Sequence, residues 1–329
     1  MKAPLRIGII GTSFVSDWLC EAAKESDSCS VSAVYSRDWE HGSVYAKERC
    51  IPCCYCEEEA FLASPEFDAV YIASPNLAHY RQALGALKHG KHVLCEKPLA
   101  LNAGQAERMI TTAHQNGLVL LEAIRPVFDP FLQTLRDNLY KVGRIRRVSI
   151  EFCQYSSRYA RFLAGEHVNI FDASLGNAAL LDLGVYCLHI CVALFGMPKQ
   201  ISAGSSFLPK GTEVAGTLLL DYGDQQTTIT YSKVTSSVTP SIIQGELGSL
   251  LFDTPNQPSY IRFVDRAQRE ETIFQSTLNN MVHELNTFAW LIHGSEATKA
   301  YDAQSLCVMR LMDEARRQTG IDFGSGEAL

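Results

Sequence analysis

Short apolar runs alternate with amphipathic stretches along the first part of the chain. Leu5-Arg6-Ile7-Gly8-Ile9-Ile10-Gly11 is rich in β-branched residues and predicts a buried strand. Val15, Trp18, Leu19 and Ala22 follow at i, i+3, i+4 and i+7, the spacing of one helix face. Further strands are predicted at 31–35, ending in Ser36-Arg37, and at 68–73, ending in Ser74-Pro75-Asn76. Asn76 can cap the next helix, whose Leu77, Tyr80, Leu84 and Leu87 form a stripe before Gly90. The strand after it runs into Cys95-Glu96-Lys97-Pro98. Asn102 opens another helix with Ala106, Met109, Ile110 and Ala113 on one side, and the strand at 118–121 ends at Glu122. Such alternation implies a parallel, doubly wound sheet, which binds ligands outside the carboxyl ends of its strands. Gly11, Arg37, Ser74-Pro75-Asn76, Lys97 and Glu122 all fall at those ends.

After Arg125-Pro126 the pattern changes. Val148, Ile150 and Phe152 alternate with polar residues, as in a half-buried strand, and a polar, aromatic loop follows at Tyr155-Ser156-Ser157-Arg158-Tyr159. A helix is predicted over 178–195, with Leu181, Val185, Leu188, Val192 and Phe195 as its buried stripe. At about 100° per residue, Asp182, Tyr186 and His189 form a polar stripe beside it. Two readings stay open there: a buried network tying two elements together, or a site. Strand-like runs at 214–222, 227–232, 242–245, 250–252 and 260–264 predict a largely antiparallel sheet. Two helices close the chain, one carrying Leu278, Val282, Leu285, Ala289 and Ile292, the other spanning about 302–320. The predicted architecture is a doubly wound parallel sheet in domain 1–123, followed by an open, mostly antiparallel sheet with helices on one face in domain 124–329. The uncovered face is left for a partner copy, as a homodimer or homotetramer.

Composition narrows the function. A chain of 329 residues exceeds one comfortable core. Its 47% hydrophobic and 20% charged residues are those of an ordinary globular protein. A net charge of −7 argues against nucleic-acid or anionic-membrane partners. Neither a signal peptide nor a transmembrane-length segment is read in the sequence. Eleven scattered cysteines point to free thiols in the cytoplasm. Four of them, Cys50, Cys53, Cys54 and Cys56, crowd together, but no second cluster completes a metal site.

The strand–turn–helix context at Gly11, Thr12, Ser13 and Phe14 suits a pyrophosphate, because helix N-terminal N–H groups hold anions. Ser13 and Ser16 stand where the dinucleotide fingerprint has its later glycines. Ser36 and Arg37 occupy the position that reads the adenosine ribose, and a guanidinium there favours NADP(H), with Asp38 keeping NAD(H) open. Proline confines Lys97 to extended backbone and makes the Lys97–Pro98 bond a candidate for cis geometry.

Taken together, Ile7-Gly8-Ile9-Ile10-Gly11-Thr12, Ala73-Ser74-Pro75-Asn76 with His79, Glu96-Lys97-Pro98 and Asp182-Leu183-Gly184-Val185-Tyr186 make the chain resemble the Gfo/Idh/MocA oxidoreductases nearly end to end. The resemblance implies a Rossmann domain, a second domain used for substrate and oligomer contacts, and hydride transfer between a nicotinamide and a carbinol carbon of a sugar, polyol or diol. It implies that Lys97 contacts the reacting hydroxyl, that Asp182 is the family's helix aspartate, and that Tyr186 stands where many members have histidine. The nucleotide set it implies is Gly11, Thr12, Ser13, Phe14, Ser36, Arg37, Ser74, Pro75, Asn76, His79, Glu96, Lys97 and Glu122. For the substrate wall, Arg158, Tyr159, Phe171 and Asn177 join Lys97, Asp182 and Tyr186. A sensor that binds NAD(P) or a sugar without chemistry is the alternative on this fold, and a methyltransferase is a remoter one.

Overall fold

A computed structural model describes residues 3–209, 211–276, 279–294 and 298–323. Leu278 of the expected C-terminal stripe lies outside the described residues. The chain divides into two compact units, Met1–Ala123 with Asn279–Leu306, and Ile124–Leu278 with Cys307–Ala328.

The first unit runs β1 (Leu5–Ile10), α1 (Phe14–Glu25), β2 (Cys29–Tyr35), α2 (Trp39–Glu48), β3 (Cys53–Tyr55), α3 (Glu58–Leu62), β4 (Ala69–Ile72), α4 (Asn76–Lys88), β5 (His92–Glu96), α5 (Ala103–Gln115) and β6 (Leu120–Ala123). Its six strands are all parallel, in the order β3-β2-β1-β4-β5-β6. Ile7, Ile9, Val70, Tyr71, Val93 and Leu94 are buried, because parallel strands bury both faces and so read as unbroken apolar runs. The winding reverses between β1 and β4, which opens a crevice at their carboxyl ends.

Two helix faces differ from the periodicity reading. Trp18 is 41% exposed and packs edge-on against Phe14, while Leu19, Cys20, Ala22 and Ala23 face the sheet. The buried arc of α1 is centred about one residue further along. On α4 the buried residues are His79, Gln82, Ala83, Ala86 and Leu87, so only Leu87 of the expected stripe is fully covered. Asn76 is the first helical residue there rather than the cap, which is Pro75.

The second unit contains α6 (Pro130–Asp137), β7 (Ile145–Cys153), α7 (Tyr159–Leu163), a π-helical turn (Leu180–Gly184) running into α8 (Val185–Phe195), then β8 (Gln200–Phe207), β9 (Glu213–Asp221), β10 (Gln226–Ser232), β11 (Ser241–Gly245), β12 (Gly248–Phe252), β13 (Tyr260–Asp265) and β14 (Glu270–Gln275). These eight strands form one sheet, β14-β13-β12-β11-β7-β10-β9-β8. Every pair is antiparallel except β7 with β10. The two edge strands, β8 and β14, carry weak apolar alternation and were not among the strands expected from sequence. The helical stretch Ala173–Phe195 corrects another expectation. It is long and apolar enough to cross a membrane, with a mean hydropathy of 2.0 over 18 of its residues, yet 78% of those are buried inside the protein, as a core helix requires.

The chain ends in α9 (Met281–Ile292) and α10 (Thr298–Thr319). The division 1–123 and 124–329 needs correction here, because α9 packs on α1 and β2. Ser26 Oγ donates to Asn286 Oδ1 at 2.7 Å, Cys29 Sγ donates to Leu285 O at 3.6 Å, and Leu285 and Phe288 are fully buried. Leu285→Ala should therefore destabilise the first unit by about 2–5 kcal/mol. Urea unfolding followed by the fluorescence of Trp18, Trp39 and Trp290, all in the first unit, checks this, and an unchanged midpoint contradicts it.

Candidate active site

At the carboxyl edge of the first sheet, Ile10 pairs with Tyr35 and Ile72, Ile72 with Cys95, and Cys95 with Glu122. The residues that follow therefore emerge side by side. Gly11 turns the chain at φ +104°, and a Cβ there would sit 2.7 Å from Ala73 O, so glycine is required. Ser16, standing for a fingerprint glycine, is buried and donates to Gly11 O at 2.9 Å, bracing the same turn. Ser13 occupies the N-cap position of α1 with no side-chain cap bond, and Phe14 is exposed. A turn of this shape feeding a twelve-residue helix fits a pyrophosphate.

Beside it, Arg37 is exposed, and Ser36 Oγ accepts the Asp38 N–H at 3.3 Å. Asp38 caps α2 by accepting the His41 N–H at 3.1 Å. His41 Nε2 lies 2.9 Å from Thr12 Oγ1, linking the glycine turn to α2. Sequence reading passed over His41, which no spacing singles out. Gly42 lets α2 approach closely, since a Cβ there would meet Ser36 Cβ at 2.8 Å. Among the described residues no group of three or more His, Cys, Asp or Glu could hold a metal, and the four clustered cysteines are free thiols.

The lysine loop is held at three successive backbone groups. Lys97 N–H donates to Glu96 Oε2 at 3.3 Å, and Leu99 N–H donates to Glu122 Oε1 at 2.9 Å. Pro98 O lies 2.9 Å from His79 Nδ1. The Lys97–Pro98 bond is cis. Glu96 is itself held by the Tyr71 hydroxyl, which donates to Oε1 at 2.5 Å. His79 also reaches Ser74 O with Nε2 at 3.0 Å, while Ser74 Oγ donates to Gln82 Oε1 at 2.6 Å. Burial pushes the His79 imidazole below its ordinary pKa, with the nearby Lys97 charge acting in the same direction. Thus His79 and Glu122, expected at a nucleotide, are buried and bonded to the backbone of the strand-end loops.

In the second unit Asp182 lies within the π-helical turn, in which the Val185 N–H reaches back to Leu180 O. The polar stripe predicted at α-helical spacing is therefore bent at this point. Tyr186 and His189 are buried, and Tyr186 packs edge-on against Phe152 with ring centroids 5.7 Å apart. Asp182 Oδ2 is 3.2 Å from Lys233 Nζ. Glu213 Oε2 accepts the Leu180 N–H at 3.0 Å. Burial pushes the Glu213 carboxyl up to about 7, against the pull of that N–H and of the Lys233 charge.

The expected substrate wall divides. Arg158 is exposed at the start of α7. Tyr159 stacks on Phe162 and tilts against Phe171. Phe171 is buried in a small cluster with Val168 and Val214, so it supports the loop from beneath. Asn177 Nδ2 donates to Asn169 O at 2.7 Å and to Asp172 O at 3.2 Å, stapling the same loop.

Comparison with known proteins decides the family. Residues 5–123 match the model for an oxidoreductase family with an NAD-binding Rossmann fold, and residues 140–251 match the GFO/IDH/MocA C-terminal domain. The chain is 38% identical over 327 residues to scyllo-inositol 2-dehydrogenase (NADP(+)) IolU of Bacillus subtilis, covering 98% of this chain and 100% of that protein. The chain belongs to the Gfo/Idh/MocA oxidoreductase family. Another relative, trans-1,2-dihydrobenzene-1,2-diol dehydrogenase of Xenopus tropicalis, is 26% identical over 89% of this chain and 91% of its own. The fold is shared with KijD10, a 3-ketoreductase from Actinomadura kijaniata solved with NADP and TDP-benzene, at a TM-score of 0.87, 24% identity and coverage of 96% and 98%.

As a Gfo/Idh/MocA protein the chain is an NAD(P)-dependent oxidoreductase acting on CH–OH groups. Sequence reading missed Lys233 and Glu213, which sit in an otherwise ordinary strand pattern. Only the three-dimensional pairing of β9 with β10 brings them under Asp182.

The Glu213 carboxyl yields a pH prediction. In the folded chain it keeps its proton up to about pH 7, whereas its ordinary value is 4.5. Its contribution to stability is therefore full below pH 4.5 and is lost as pH rises toward 7, by on the order of 3 kcal/mol. Glu213→Gln still accepts the Leu180 N–H and should remove this slope. Melting curves of both proteins from acid to neutral pH test it, and parallel curves would contradict it.

Proposed function

We propose that this chain is an NADP(H)-dependent dehydrogenase or reductase for a carbinol or carbonyl carbon of a cyclic polyol, sugar or trans-diol. The observation that carries the proposal is the fixing of the Lys97 loop through the backbone groups of residues 97, 98 and 99. A lysine held this way at a strand end is placed for chemistry rather than for solvent. The relative IolU, named for scyllo-inositol and NADP(+), supports a polyol and this cofactor. The dihydrodiol dehydrogenase relative supports vicinal hydroxyls more generally.

Gly11, Thr12 and Ser13 at the start of α1 would hold the pyrophosphate. Ser36 and Arg37 would meet a 2′-phosphate, and the engagement of Asp38 as the α2 cap favours NADP(H) over NAD(H). When bound, the nicotinamide supplies the hydride acceptor. The chain supplies the rest. Lys97 takes the hydroxyl proton as the carbinol carbon loses hydride, since neither can leave alone. Tyr186 orients the hydroxyl oxygen or relays its proton, and Asp182 fixes a neighbouring substrate hydroxyl. In reverse, the same groups protonate the oxygen of a carbonyl reduced by NADPH. Leu219, exposed on the opposite face from buried Leu218 and Leu220, supports assembly of copies through the second sheet.

A panel of inositols, sugars and trans-diols with NADP⁺ and NAD⁺, read at the nicotinamide absorbance, tests the proposal directly. Turnover by none of them contradicts it. Lys97→Met should lower turnover roughly 10²–10⁴-fold while sparing NADPH binding, and wild-type turnover would discard the role. Arg37→Ala should weaken NADPH roughly 10–100-fold and leave NADH nearly unchanged, as fluorescence titration would show. Equal losses for both cofactors would return the arginine to a surface role.

A further inference from the structure

A buried cation in the second unit has no part in the chemistry above. Lys233 directly follows β10, and its backbone N–H donates to Val214 O at 2.8 Å, setting it beside Glu213 of the neighbouring strand. Its ammonium lies 3.2 Å from Asp182 Oδ2 and donates to Ile170 O at 3.3 Å. The lysine side chain is 3% exposed, the aspartate side chain 29%. A lysine at a strand end ordinarily carries its charge out to water. Here the cation is the buried member, and the carboxylate is the member that reaches the surface.

Stability alone explains this poorly, since buried ion pairs can often be replaced by apolar residues at no loss. Geometry explains it better. The π-helical turn is gripped at two points: Glu213 takes the N–H of its first residue, Leu180, and Lys233 takes the side chain of its third, Asp182. Through Ile170 O, Lys233 also ties the turn to the loop that carries Phe171, Asn169 and Asp172. One ammonium thus sets both the direction of the carboxylate and the position of the loop beside it.

We propose that Lys233 is a positioning residue for the oxidoreductase reaction: it holds the Asp182 carboxylate in a single orientation toward the substrate and couples that orientation to the 169–172 loop. Because this rests on the substrate role given to Asp182 above, the test must separate the two. Asp182→Asn, Lys233→Met, Lys233→Arg and the double variant D182N/K233M are compared with wild type, using NADP⁺ with scyllo-inositol or, if it turns over faster, the best polyol or diol of the panel. Rates are scaled to the NADPH-binding fraction.

Lys233→Met should lower kcat/KM for the polyol by about 10–100-fold, as misplacement of a substrate-orienting group does, with KM for NADP⁺ unchanged. Lys233→Arg should recover most of that loss. The double variant should be no worse than Asp182→Asn, because residues acting through one another are not additive. Should Lys233→Met fail to fold, Lys233→Gln carries the same comparison. A wild type inactive on the whole panel removes the function and this inference together. A fully active Asp182→Asn removes the role of the aspartate. A crippled Asp182→Asn beside a fully active Lys233→Met, or losses that multiply in the double variant, overturns the role of Lys233 alone.

Discussion

Three side chains bonded to three consecutive backbone groups are the constraint on which the first unit's chemistry depends. Glu96 takes the N–H of Lys97, His79 meets the carbonyl of Pro98, and Glu122 takes the N–H of Leu99. These side chains come from β5, α4 and β6, so the loop cannot move without disturbing three elements of the sheet layer. The burial of His79 and Glu122 matters as much as the number of bonds. Hydrogen bonds shielded from water resist exchange, and an unpaired buried partner would cost about 1–3 kcal/mol. A reactive amine needs a fixed origin, and preorganisation of this kind carries much of an enzyme's advantage over solution.

The second unit solves a related problem by other means. The residues proposed for its part of the site, Asp182 and Tyr186, lie on an apolar core helix, where polar groups are costly unless paired. The π-helical turn at Leu180–Gly184 contains Asp182, and two polar side chains, Glu213 at the start of β9 and Lys233 just after β10, support it from below. The aromatic loop has its own small core around Phe171, seated on Val214 of β9. Side chains expected to line the substrate, Phe171 and Asn177, shape that loop from within, Tyr159 packs partly against it, and Arg158 is its exposed member.

Much of the first unit was legible because parallel strands buried on both faces leave continuous apolar runs, and their ends are marked by Gly11, Ser36-Arg37, Ser74-Pro75 and Lys97-Pro98. The glycine replacement at Ser16 looked like a defect in the motif but is a brace, since its hydroxyl bonds the Gly11 carbonyl. What escaped the sequence was whatever depends on long-range pairing. His79 and Glu122 carry ligand-like side chains whose atoms face the backbone of another loop. Lys233 and Glu213 gain meaning only through the register of β9 on β10. The placement of α9 against α1 and β2 follows from contacts across more than half the chain, with no local signal of composition or spacing. Periodicity also assumes a regular helix, and the π-helical turn breaks that assumption at the residue where it mattered most.

Isotope transfer addresses the central claim most directly. The C-deuterated polyol that turns over best is incubated with NADP⁺, and the reduced nicotinamide is examined by proton NMR. The account predicts deuterium at the nicotinamide C4 from the wild-type protein, on one face only, and transfer slowed by orders of magnitude in Lys97→Met despite full NADP⁺ occupancy. Deuterium appearing at the same rate in both proteins would contradict it.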